Sequence, residues 1–357
     1  MDIFKGLRVV ELANVLAGPA VGMFFAELGA EVIKIENKST GGDLTRKWKL
    51  PVEQKESTTS SYYHSVNWNK EILFLDLKEA VDHAVAIEKI SAADLLITNF
   101  KSGDAEKLGM SSSVLLSRYP SLIIAEITGF DDQERVAYDA VLQAETGFMS
   151  LNGNPGDQPM KMPVALIDLL AAHQLKEGIL IALLQRAKTG KGCKVTASLY
   201  RSAIASLANQ ASAYLNTHVV PLASGSLHPT IAPYGEMFRC ADGQLVLLAV
   251  GTDKQFLRLL DILKAEEMGS DPLFSTNTNR VINRKILTEK LNKYIALLTS
   301  ENLLSACHRA KVPAASVRSI DQVFMDPSIQ SMVLEQQEGD GSVSKRVATV
   351  AFKIENE

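Results

Sequence analysis

Short apolar strands and helical segments alternate from residue 7 to residue 199, and this alternation limits the fold more than any other feature of the sequence. The first strand covers 7–14, a helix opens at Gly18-Pro19 and stops by Gly29, and the next strand covers 31–36. Proline near a helix start and glycine just past its end are the expected signals for those positions. Further elements follow in the same order, with strands at 72–77, 94–100, 122–128 and 193–199 and helices at 79–90 and 112–119. This order predicts an α/β fold, with a Rossmann-like, doubly wound parallel sheet in a large domain.

The longest helical segment begins in the stretch VALIDLLAAHQ, in which Asp168 is the one acidic residue, and it runs to Gly190. Burying a charge is costly unless something compensates it. Aspartate is among the best helix N-caps, and the helix dipole stabilises a negative charge there. The same position would keep the carboxylate ionised and supply backbone N–H donors to a neighbouring oxyanion, as a carboxylate nucleophile needs. We therefore predict that Asp168 caps this helix, and its spacing leaves a chemical role open.

The composition changes after residue 219. Residues 220–238 concentrate proline, glycine and serine without a helical period, and Asp242-Gly243 then lies between two apolar runs, as in a β-hairpin. Helices are predicted after the hairpin at 253–264, 281–298 and 301–309. The predicted parts are a large domain over 1–219, a linker with a smaller α+β domain over 220–310, and a C-terminal segment over 311–357 that returns to the large domain.

Composition and charge exclude several classes of protein. The formal net charge of −4 over 357 residues gives no electrostatic reason to expect nucleic acid or an anionic membrane as a partner. No apolar run approaches the ~18 residues of a membrane span, and the N-terminus lacks a basic region before an apolar core, so we expect a cytoplasmic protein. The three cysteines and six histidines show none of the spacings of a zinc site or a disulfide framework, so no metal is predicted.

Basic residues gather near the predicted strand ends, although no nucleotide-binding signature is present. The first turn, NVLAGPAVG, lacks the GxGxxG pattern, and Walker and GxSxG motifs are absent. The basic residues near strand ends are Lys38, Arg46, Lys70, Lys101 and Lys107. Ligands of open α/β sheets bind outside the carboxyl ends of the strands, so these side chains are candidates to hold phosphate groups. The alternative is that each of them is an ordinary solvated surface residue.

Together these motifs resemble the class III coenzyme A-transferases, also called the CaiB/BaiF family, which includes formyl-CoA transferase, carnitine CoA-transferase and the α-methylacyl-CoA racemases. The matching stretches follow one another over nearly the whole chain: LRVVELANVLAGP, LGAEVIKIE, GGDLTR, NWNKEILFLDLK, ADLLITNFKSGDAEKLGM, YDAVLQAETGFMS, ALIDLLAAHQLKEGILIALLQRAKTGKG, PYGEMFRCADGQLVLLAVG and VPAASVRSI. The resemblance implies a CoA-transferase with no tightly bound cofactor. Its substrates would be acyl-CoA and small carboxylic acids, and its assembly an interlocked homodimer.

In that family the residue at the start of the long helix is the nucleophile. The resemblance therefore implies that Asp168 forms a mixed anhydride with the acyl group and then an aspartyl-CoA thioester. It also implies that Asp139 assists by positioning or proton transfer, with a structural hydrogen bond as the alternative. The positions implied to contact coenzyme A are Val15, Ala17, Lys38, Asn69, Lys70, Asn99, Phe100, Lys101, Lys107 and Tyr138. Asn37 stands where the family often has an adenosine-contacting arginine, and the glycine-rich loop of some members is reduced here to Gly225.

Two other functions stay open from the sequence. The racemases use a histidine where this chain has Tyr138, and an acidic residue near Asp253. Tyrosine, with an unperturbed pKa of about 10, is a poor base at neutral pH, which ranks a racemase below a transferase. A catalytically idle CoA-binding protein would have lost the nucleophile, whereas Asp168 is present. Transferase is therefore the preferred function.

Overall fold

The computed structural model describes residues 2–130, 135–339 and 341–355. Its strands are β1 (Arg8–Glu11), β2 (Glu31–Asn37), β3 (Lys70–Leu75), β4 (Leu95–Thr98), β5 (Ile123–Thr128), β6 (Lys194–Ser198), β7 (Tyr234–Arg239), β8 (Leu245–Ala249), β9 (Ala314–Ser316), β10 (Val333–Gln337) and β11 (Val343–Val347). Its α-helices are α1 (Ala17–Glu27), α2 (Ser61–His64), α3 (Ala80–Ser91), α4 (Asp104–Lys107), α5 (Ser112–Arg118), α6 (Asp139–Glu145), α7 (Phe148–Leu151), α8 (Leu166–Thr189), α9 (Leu199–Ala205), α10 (Ala208–Thr217), α11 (Asp253–Leu263), α12 (Glu267–Ser270), α13 (Asn277–Ile282), α14 (Arg284–Ile295), α15 (Ser300–Ala310) and α16 (Ile320–Phe324). Short 3-10 helices lie at Lys38–Thr40, Leu44–Lys47 and Pro327–Met332. Within the described residues, no helix combines the length and the apolar character that a membrane span requires.

The chain forms two compact units. The first comprises Met1–Met149, Lys161–Val220 and Ser328–Glu357, and the second comprises Ser150–Met160 and Pro221–Pro327. Residues 150–160 thus group with the second unit although they precede α8. The domain limits expected from the sequence, between residues 219 and 220 and between residues 310 and 311, stay predictions.

The first unit is built on a six-stranded sheet in the order β3-β2-β1-β4-β5-β6, and every neighbouring pair of strands is parallel. Side chains alternate across this sheet, so that Val9 faces a core shared with α1 and α8, whereas Val10 faces a core shared with α3 and α5. Helices therefore cover both faces, which confirms the predicted doubly wound parallel sheet. The strand order changes direction between β1 and β4, where open α/β sheets bind their ligands.

Helix α8 has 24 residues and packs against α1 and the β5 and β6 side of the sheet. Ile167, Ala171, Leu175 and Ile179 are buried at steps of four along one face. Gly190 ends the helix in the left-handed conformation, with φ of 71°, which confirms the end predicted from the sequence. One buried stripe of small and branched side chains thus fixes the helix on the sheet.

The second unit contains an antiparallel sheet in the order β7-β8-β9. Arg239 pairs with Leu245 across the turn at Asp242-Gly243, which confirms the predicted hairpin. The helix predicted around 281–298 is confirmed as α14, and its start is later than predicted because α13 ends and α14 begins around Asn283. The amide of Asn283 donates to the carbonyl of Asn279 at 2.9 Å, and such side-chain bonds compete with the helical backbone pattern.

The C-terminal segment of the first unit is held by polar contacts to earlier parts of the chain. The backbone N–H of Asn69 donates to Oε1 of Gln336 in β10 at 2.9 Å. The carboxylate of Glu27, at the end of α1, accepts the N–H groups of Thr349 and Val350 at 2.8 and 3.0 Å. Residues near both ends of the chain are therefore bound into one unit.

A group of buried charges ties the strands of the first unit to α1. Glu11 is fully buried, and its carboxylate accepts from the ammonium of Lys34 at 2.9 Å and from that of Lys70 at 2.8 Å. Lys34 also lies 3.1 Å from the carboxylate of Asp43. A Cβ at Gly22 of α1 would overlap the Glu11 carboxylate, so the close approach requires glycine there. One carboxylate thus connects β1, β2, β3 and α1.

We expect Glu11→Gln to lower the free energy of unfolding by about 3–5 kcal/mol, because it leaves two buried ammonium groups facing a neutral amide. Urea denaturation followed by circular dichroism measures this loss. Glu335→Gln is the matched control, since it makes the same isosteric change in an exposed pair whose carboxylate lies 2.6 Å from Lys345. The control should lose less than about 1 kcal/mol. Equal losses in the two variants would contradict the structural role of Glu11.

Candidate active site

Asp168 lies inside the first turn of α8. The helix begins at Leu166 and its N-cap residue is Ala165, so Asp168 is the third helical residue. The prediction that Asp168 is the N-cap is therefore wrong. Its side chain is buried, with 8% of the residue exposed, and none of the described residues donates a hydrogen bond to its carboxylate. This carboxylate is not engaged in closing the helix.

Asp139, the first residue of α6, supplies the cap instead. Its Oδ1 accepts the backbone N–H of Ile167 at 2.8 Å, and its Oδ2 accepts from Nε2 of Gln143 at 2.7 Å. A carboxylate at this position satisfies a free N–H group of the helix start and is stabilised by the helix dipole. The cap comes from a residue 28 positions earlier in the chain, and it brings a second carboxylate next to Asp168.

The environment makes Asp168 an unusually weak acid. Burial first, and then the negative charge of Asp139, raise the pKa of Asp168 to about 7. The expectation that the helix start would keep this group fully ionised is therefore wrong, since half of it is protonated near pH 7. A carboxylate with this pKa is more basic than an ordinary aspartate and still available at neutral pH, which suits a nucleophile or a general base.

Two aromatic residues that the sequence patterns do not single out belong to the same site. Burial and the charges of Asp168, Asp139 and Asp43 raise the pKa of Tyr62 to about 12, so its phenol stays protonated at neutral pH. The ring of Trp48 packs edge-on against Tyr62, with 5.0 Å between ring centroids. A tyrosine in a short helix such as α2 is a weak sequence indication of a functional site. The position of Tyr62 beside the carboxylates depends on the fold.

The loop between β1 and α1 is strained and held by polar contacts. Val15 has a φ of 73°, which is rare for a β-branched residue, and its N–H donates to the carboxylate of Asp43 at 3.1 Å. The amide of Asn99, just after β4, accepts the N–H of Asn14 at 3.1 Å and donates to its carbonyl at 2.9 Å. Ala17 follows as the first residue of α1. The structure thus brings Val15, Ala17 and Asn99 together between β1 and β4, and strain of this kind clusters at functional sites.

Two adjoining clefts open at the carboxyl ends of the strands. The first has a volume of about 740 Å³ beside β1, β2, β3 and β4, and its lining includes Asn14, Asn37, Lys78, His83, Phe100 and Lys107. The second has a volume of about 970 Å³ beside β4, β5 and β6, and its lining includes Thr98, Asn99, Lys101, Thr128, Tyr138 and Thr196. Phe100 and Lys107 line both clefts. Such crevices are where ligands bind in this type of sheet.

The structure does not place Lys70 at either cleft. Its ammonium is buried and donates to Glu11, to the carbonyl of Pro19 and to Oδ1 of Asn67, at 2.8, 2.9 and 3.0 Å. All three of its hydrogens are used, so the group is not available to a phosphate, contrary to our expectation. Its neighbour Asn69 is exposed, with a φ of 54°.

Arg46 is buried as well. Its guanidinium donates to the carboxylate of Glu36 at 2.6 and 2.9 Å, so it is not available to a phosphate, contrary to our expectation.

The three remaining predicted cations are exposed. The ammonium of Lys38 lies 2.5 Å from the carboxylate of Asp82, and that of Lys107 lies 3.2 Å from the aspartate three residues before it. Lys101 is exposed at the second cleft.

Lys78 is an exposed residue that lines the first cleft, and the sequence analysis did not identify it. Its position shortly after the third strand was the one feature of the sequence that could have indicated a place at the cleft. Lys78, Lys101 and Lys107 thus lie at the clefts, together with Arg135 and Lys194, which pair with Glu145 and Glu126.

Known proteins resemble this chain over almost its full length. The family described as CoA-transferase family III matches residues 4–357. A succinate–glutarate CoA-transferase from Agrobacterium fabrum is 37% identical over 354 residues, which cover 97% of this chain and 88% of that protein. An acetyl-CoA:oxalate CoA-transferase from Acetobacter aceti is 32% identical over 322 residues, which cover 89% of this chain and 81% of that protein. The crystal structure of a CaiB/BaiF family protein from Brucella suis matches with a TM-score of 0.86 and 34% identity, covering 98% of this chain and 92% of that one.

Replacing Asp168 by Asn should stabilise the protein at pH 8 and change its stability little near pH 4. The pKa of this carboxyl is about 7 in the folded protein against an ordinary 3.8. Its protonated form therefore contributes stability that is present below about pH 4 and is lost as the pH rises through about 7. The neutral amide suffers no such loss, so the gain at pH 8 should reach up to about 4 kcal/mol.

Urea denaturation of both proteins between pH 4 and pH 8 measures this difference. Asp261→Asn, at an exposed position of α11, is the control and should show no comparable gain at pH 8. A gain from Asp168→Asn that is the same at every pH would contradict the raised pKa.

Proposed function

Because the chain belongs to CoA-transferase family III and is a CoA-transferase, we propose that Asp168 is the nucleophile that carries coenzyme A between two carboxylic acids. The observation that supports this best is the buried Asp168 carboxylate in the first turn of α8, with its pKa raised to about 7 beside Asp139. A poorly solvated carboxylate of raised basicity is suited to attack a thioester.

The reaction would proceed by four acyl exchanges. An oxygen of Asp168 attacks the thioester carbonyl of the donor, the C–S bond breaks, and coenzyme A leaves as a thiolate, with a mixed anhydride remaining on the enzyme. The thiolate then attacks the acyl carbon of Asp168 and expels the donor acid as a carboxylate, which leaves an aspartyl-CoA thioester. The acceptor carboxylate attacks that thioester, and the same two steps in reverse release the new acyl-CoA and free Asp168. Each step exchanges one activated acyl bond for another, so neither a proton nor ATP is consumed.

Neighbouring groups have distinct parts in this scheme. Asp139 holds the first turn of α8 through the N–H of Ile167 and keeps a negative charge near Asp168. Tyr62, protonated at neutral pH, is a hydrogen-bond donor for the negative charge that develops on an acyl oxygen or for a substrate carboxylate. Burial of Asp168 also keeps water from the anhydride and the thioester, both of which hydrolyse readily.

Coenzyme A would bind along the two clefts. The first cleft, with Phe100 as an apolar wall and Lys78 and Lys107 as cations, suits an adenosine and its phosphates. The second cleft leads to Tyr138, the N-cap residue of α6 directly before Asp139, and suits the pantetheine arm and its thioester. The β1–α1 loop meets the first cleft at Asn14, and Val15 and Ala17 follow directly in the chain. Lys78 replaces Lys70 in this assignment, because Lys70 is saturated inside the protein.

We propose that the acceptor is a small carboxylic acid, and specifically a dicarboxylic acid. The relatives are named for succinate, glutarate and oxalate, all of which are small dicarboxylic acids. Succinyl-CoA and acetyl-CoA are the corresponding donors to test first. The cytoplasmic location stays a prediction from the sequence.

We propose an interlocked homodimer as the assembly, following the family resemblance. Apolar side chains that a monomer would leave in water support self-association: Ile181 and Leu184 of α8 are 65% and 67% exposed, and Leu215 of α10 is 70% exposed. None of the residues of α10 is buried within the described chain. Exposed helices that carry large apolar side chains suit a surface covered by another subunit.

Two observations count against a racemase. Tyr138 stands in place of a histidine and is 47% exposed, and tyrosine is a poor base at neutral pH. The carboxylate of Asp253 accepts from Nη2 of Arg280 at 2.5 Å, and Arg280 is 1% exposed, so that acid is held in an ion pair. Uptake of deuterium at the α-carbon of an acyl-CoA in heavy water would reveal racemase activity.

Mixing the protein with succinyl-CoA or acetyl-CoA should give a covalent adduct of coenzyme A on Asp168, visible as an increase in intact mass and removed by hydroxylamine. Asp168→Ala should form none, because it lacks the carboxylate. Asp261→Ala, at an exposed position of α11 outside the lining of both clefts, leaves the nucleophile intact and should form the adduct as the unchanged protein does. An adduct of the same mass on Asp168→Ala, or no adduct from any donor despite measurable binding of coenzyme A, would contradict the proposed nucleophile.

Lys78→Ala should raise KM for acyl-CoA about tenfold and leave kcat within about twofold, since removing a phosphate contact weakens ground-state and transition-state binding alike. Tenfold corresponds to about 1.4 kcal/mol. Lys188→Ala, in the exposed last turn of α8 away from the lining of both clefts, is the matched control and should change neither constant. A fall in kcat without a rise in KM would contradict the placement of the phosphates at Lys78.

A further inference from the structure

We propose that Gln143 is a positioning residue for the transfer reaction, holding the carboxylate of Asp139 and the segment that enters α8 in one fixed arrangement around Asp168. This inference rests on the proposed role of Asp168 as the nucleophile. Gln143 is 1% exposed, and both ends of its amide are engaged. A buried polar side chain with all its groups in use specifies one geometry.

The amide of Gln143 reaches two parts of the chain at once. Its Nε2 donates to Oδ2 of Asp139 at 2.7 Å, which is possible because the two residues lie four positions apart on one face of α6. Its Oε1 accepts the N–H of Met162 at 2.8 Å, while Nε2 also lies 3.3 Å from the carbonyl of Met162. The side chain of Met162 is 46% exposed, so this stretch is attached through its backbone.

That stretch leads directly into the catalytic helix. Nε2 of Gln143 lies 3.5 Å from the carbonyl of Val164, and the same carbonyl accepts the N–H of Leu166, the first residue of α8, at 2.7 Å. The other oxygen of Asp139 accepts the N–H of Ile167. One amide therefore controls the first turn of α8 by two routes, through Asp139 and through the entering backbone.

The chemistry at Oδ2 of Asp139 requires a neutral donor. Glutamine supplies an N–H without a charge, so the negative charge of Asp139 remains uncompensated by Gln143 and acts on Asp168. A glutamate would place a second carboxylate against Oδ2, and two carboxylates at that distance repel each other. A leucine would remove both the donor and the attachment of Met162. The ionisable groups that face this site are Asp139 on α6, Tyr62 on α2 and Asp43 before β3.

The test compares the pH dependence of kcat/KM for the unchanged enzyme, Gln143→Leu and Gln143→Glu, with Gln174→Leu, an exposed glutamine of α8, as the control. Gln143→Leu should lower kcat about 10- to 100-fold with KM for acyl-CoA within about twofold, because the nucleophile is misplaced while the clefts are intact. Gln143→Glu should move the acidic limb of the profile to higher pH, since added negative charge makes Asp168 harder to ionise. The control should behave as the unchanged enzyme.

A purely structural Gln143 would give variants of lower thermal stability whose kcat and acidic limb are unchanged, and that result would overturn the inference. If Gln143→Leu does not fold, Gln143→Glu decides by its acidic limb, because it keeps the oxygen that accepts the Met162 N–H. The coenzyme A adduct separates this inference from the one it rests on. An adduct that needs Asp168, together with unchanged Gln143 variants, refutes the positioning role alone, whereas an adduct on Asp168→Ala refutes the nucleophile.

Discussion

The carboxylate of Glu11 is the contact on which the rest of the first unit depends. It is shared by the ammonium groups of Lys34 and Lys70, and α1 can approach it because residue 22 is glycine. These buried ionic contacts therefore hold three strands and a helix together. Asp43 extends the group to the β1–α1 loop, since it pairs with Lys34 and accepts the N–H of the strained Val15. The same charges that hold the sheet together therefore shape the loop at which a ligand of this fold would bind.

Asp168 is buried almost as deeply as Glu11 but in the opposite electrostatic setting. Two ammonium groups compensate the charge of Glu11, whereas burial and a second carboxylate both act against the charge of Asp168. The first arrangement makes a stable structural anion. The second makes a basic carboxylate whose ionisation lowers the stability of the folded protein. A loss of stability of this kind is expected where a site is built for reactivity. The fold thus assigns different roles to two acids by the partners it brings to each.

The position of Asp168, the proposed nucleophile, depends in turn on a short series of hydrogen bonds. Asp139 closes the first turn of α8, and Gln143 fixes Asp139 through a neutral donor. A cation in place of Gln143 would neutralise the charge that helps to raise the pKa of Asp168. Uncharged donors around Asp139 therefore leave its negative charge uncompensated while they fix the geometry, which is how a preorganised site differs from a stable salt bridge.

The sequence by itself determined the parallel sheet and the approximate limits of its main elements. Strand and helix periods are local properties, so the strand near 31–36 and the helix end at Gly190 follow from neighbouring residues. The family resemblance then pointed to Asp168, and the matching relatives confirm that family. Only the tertiary structure decided that Asp139 caps α8 from 28 residues away, that Lys70 is a buried structural cation, and that Lys78 faces the cleft. A lysine after a strand has the same sequence pattern whether it meets a phosphate or a carboxylate. Its role depends on which group the folded chain brings to it, and the pKa of Asp168 likewise depends on burial and on a charge contributed by another helix.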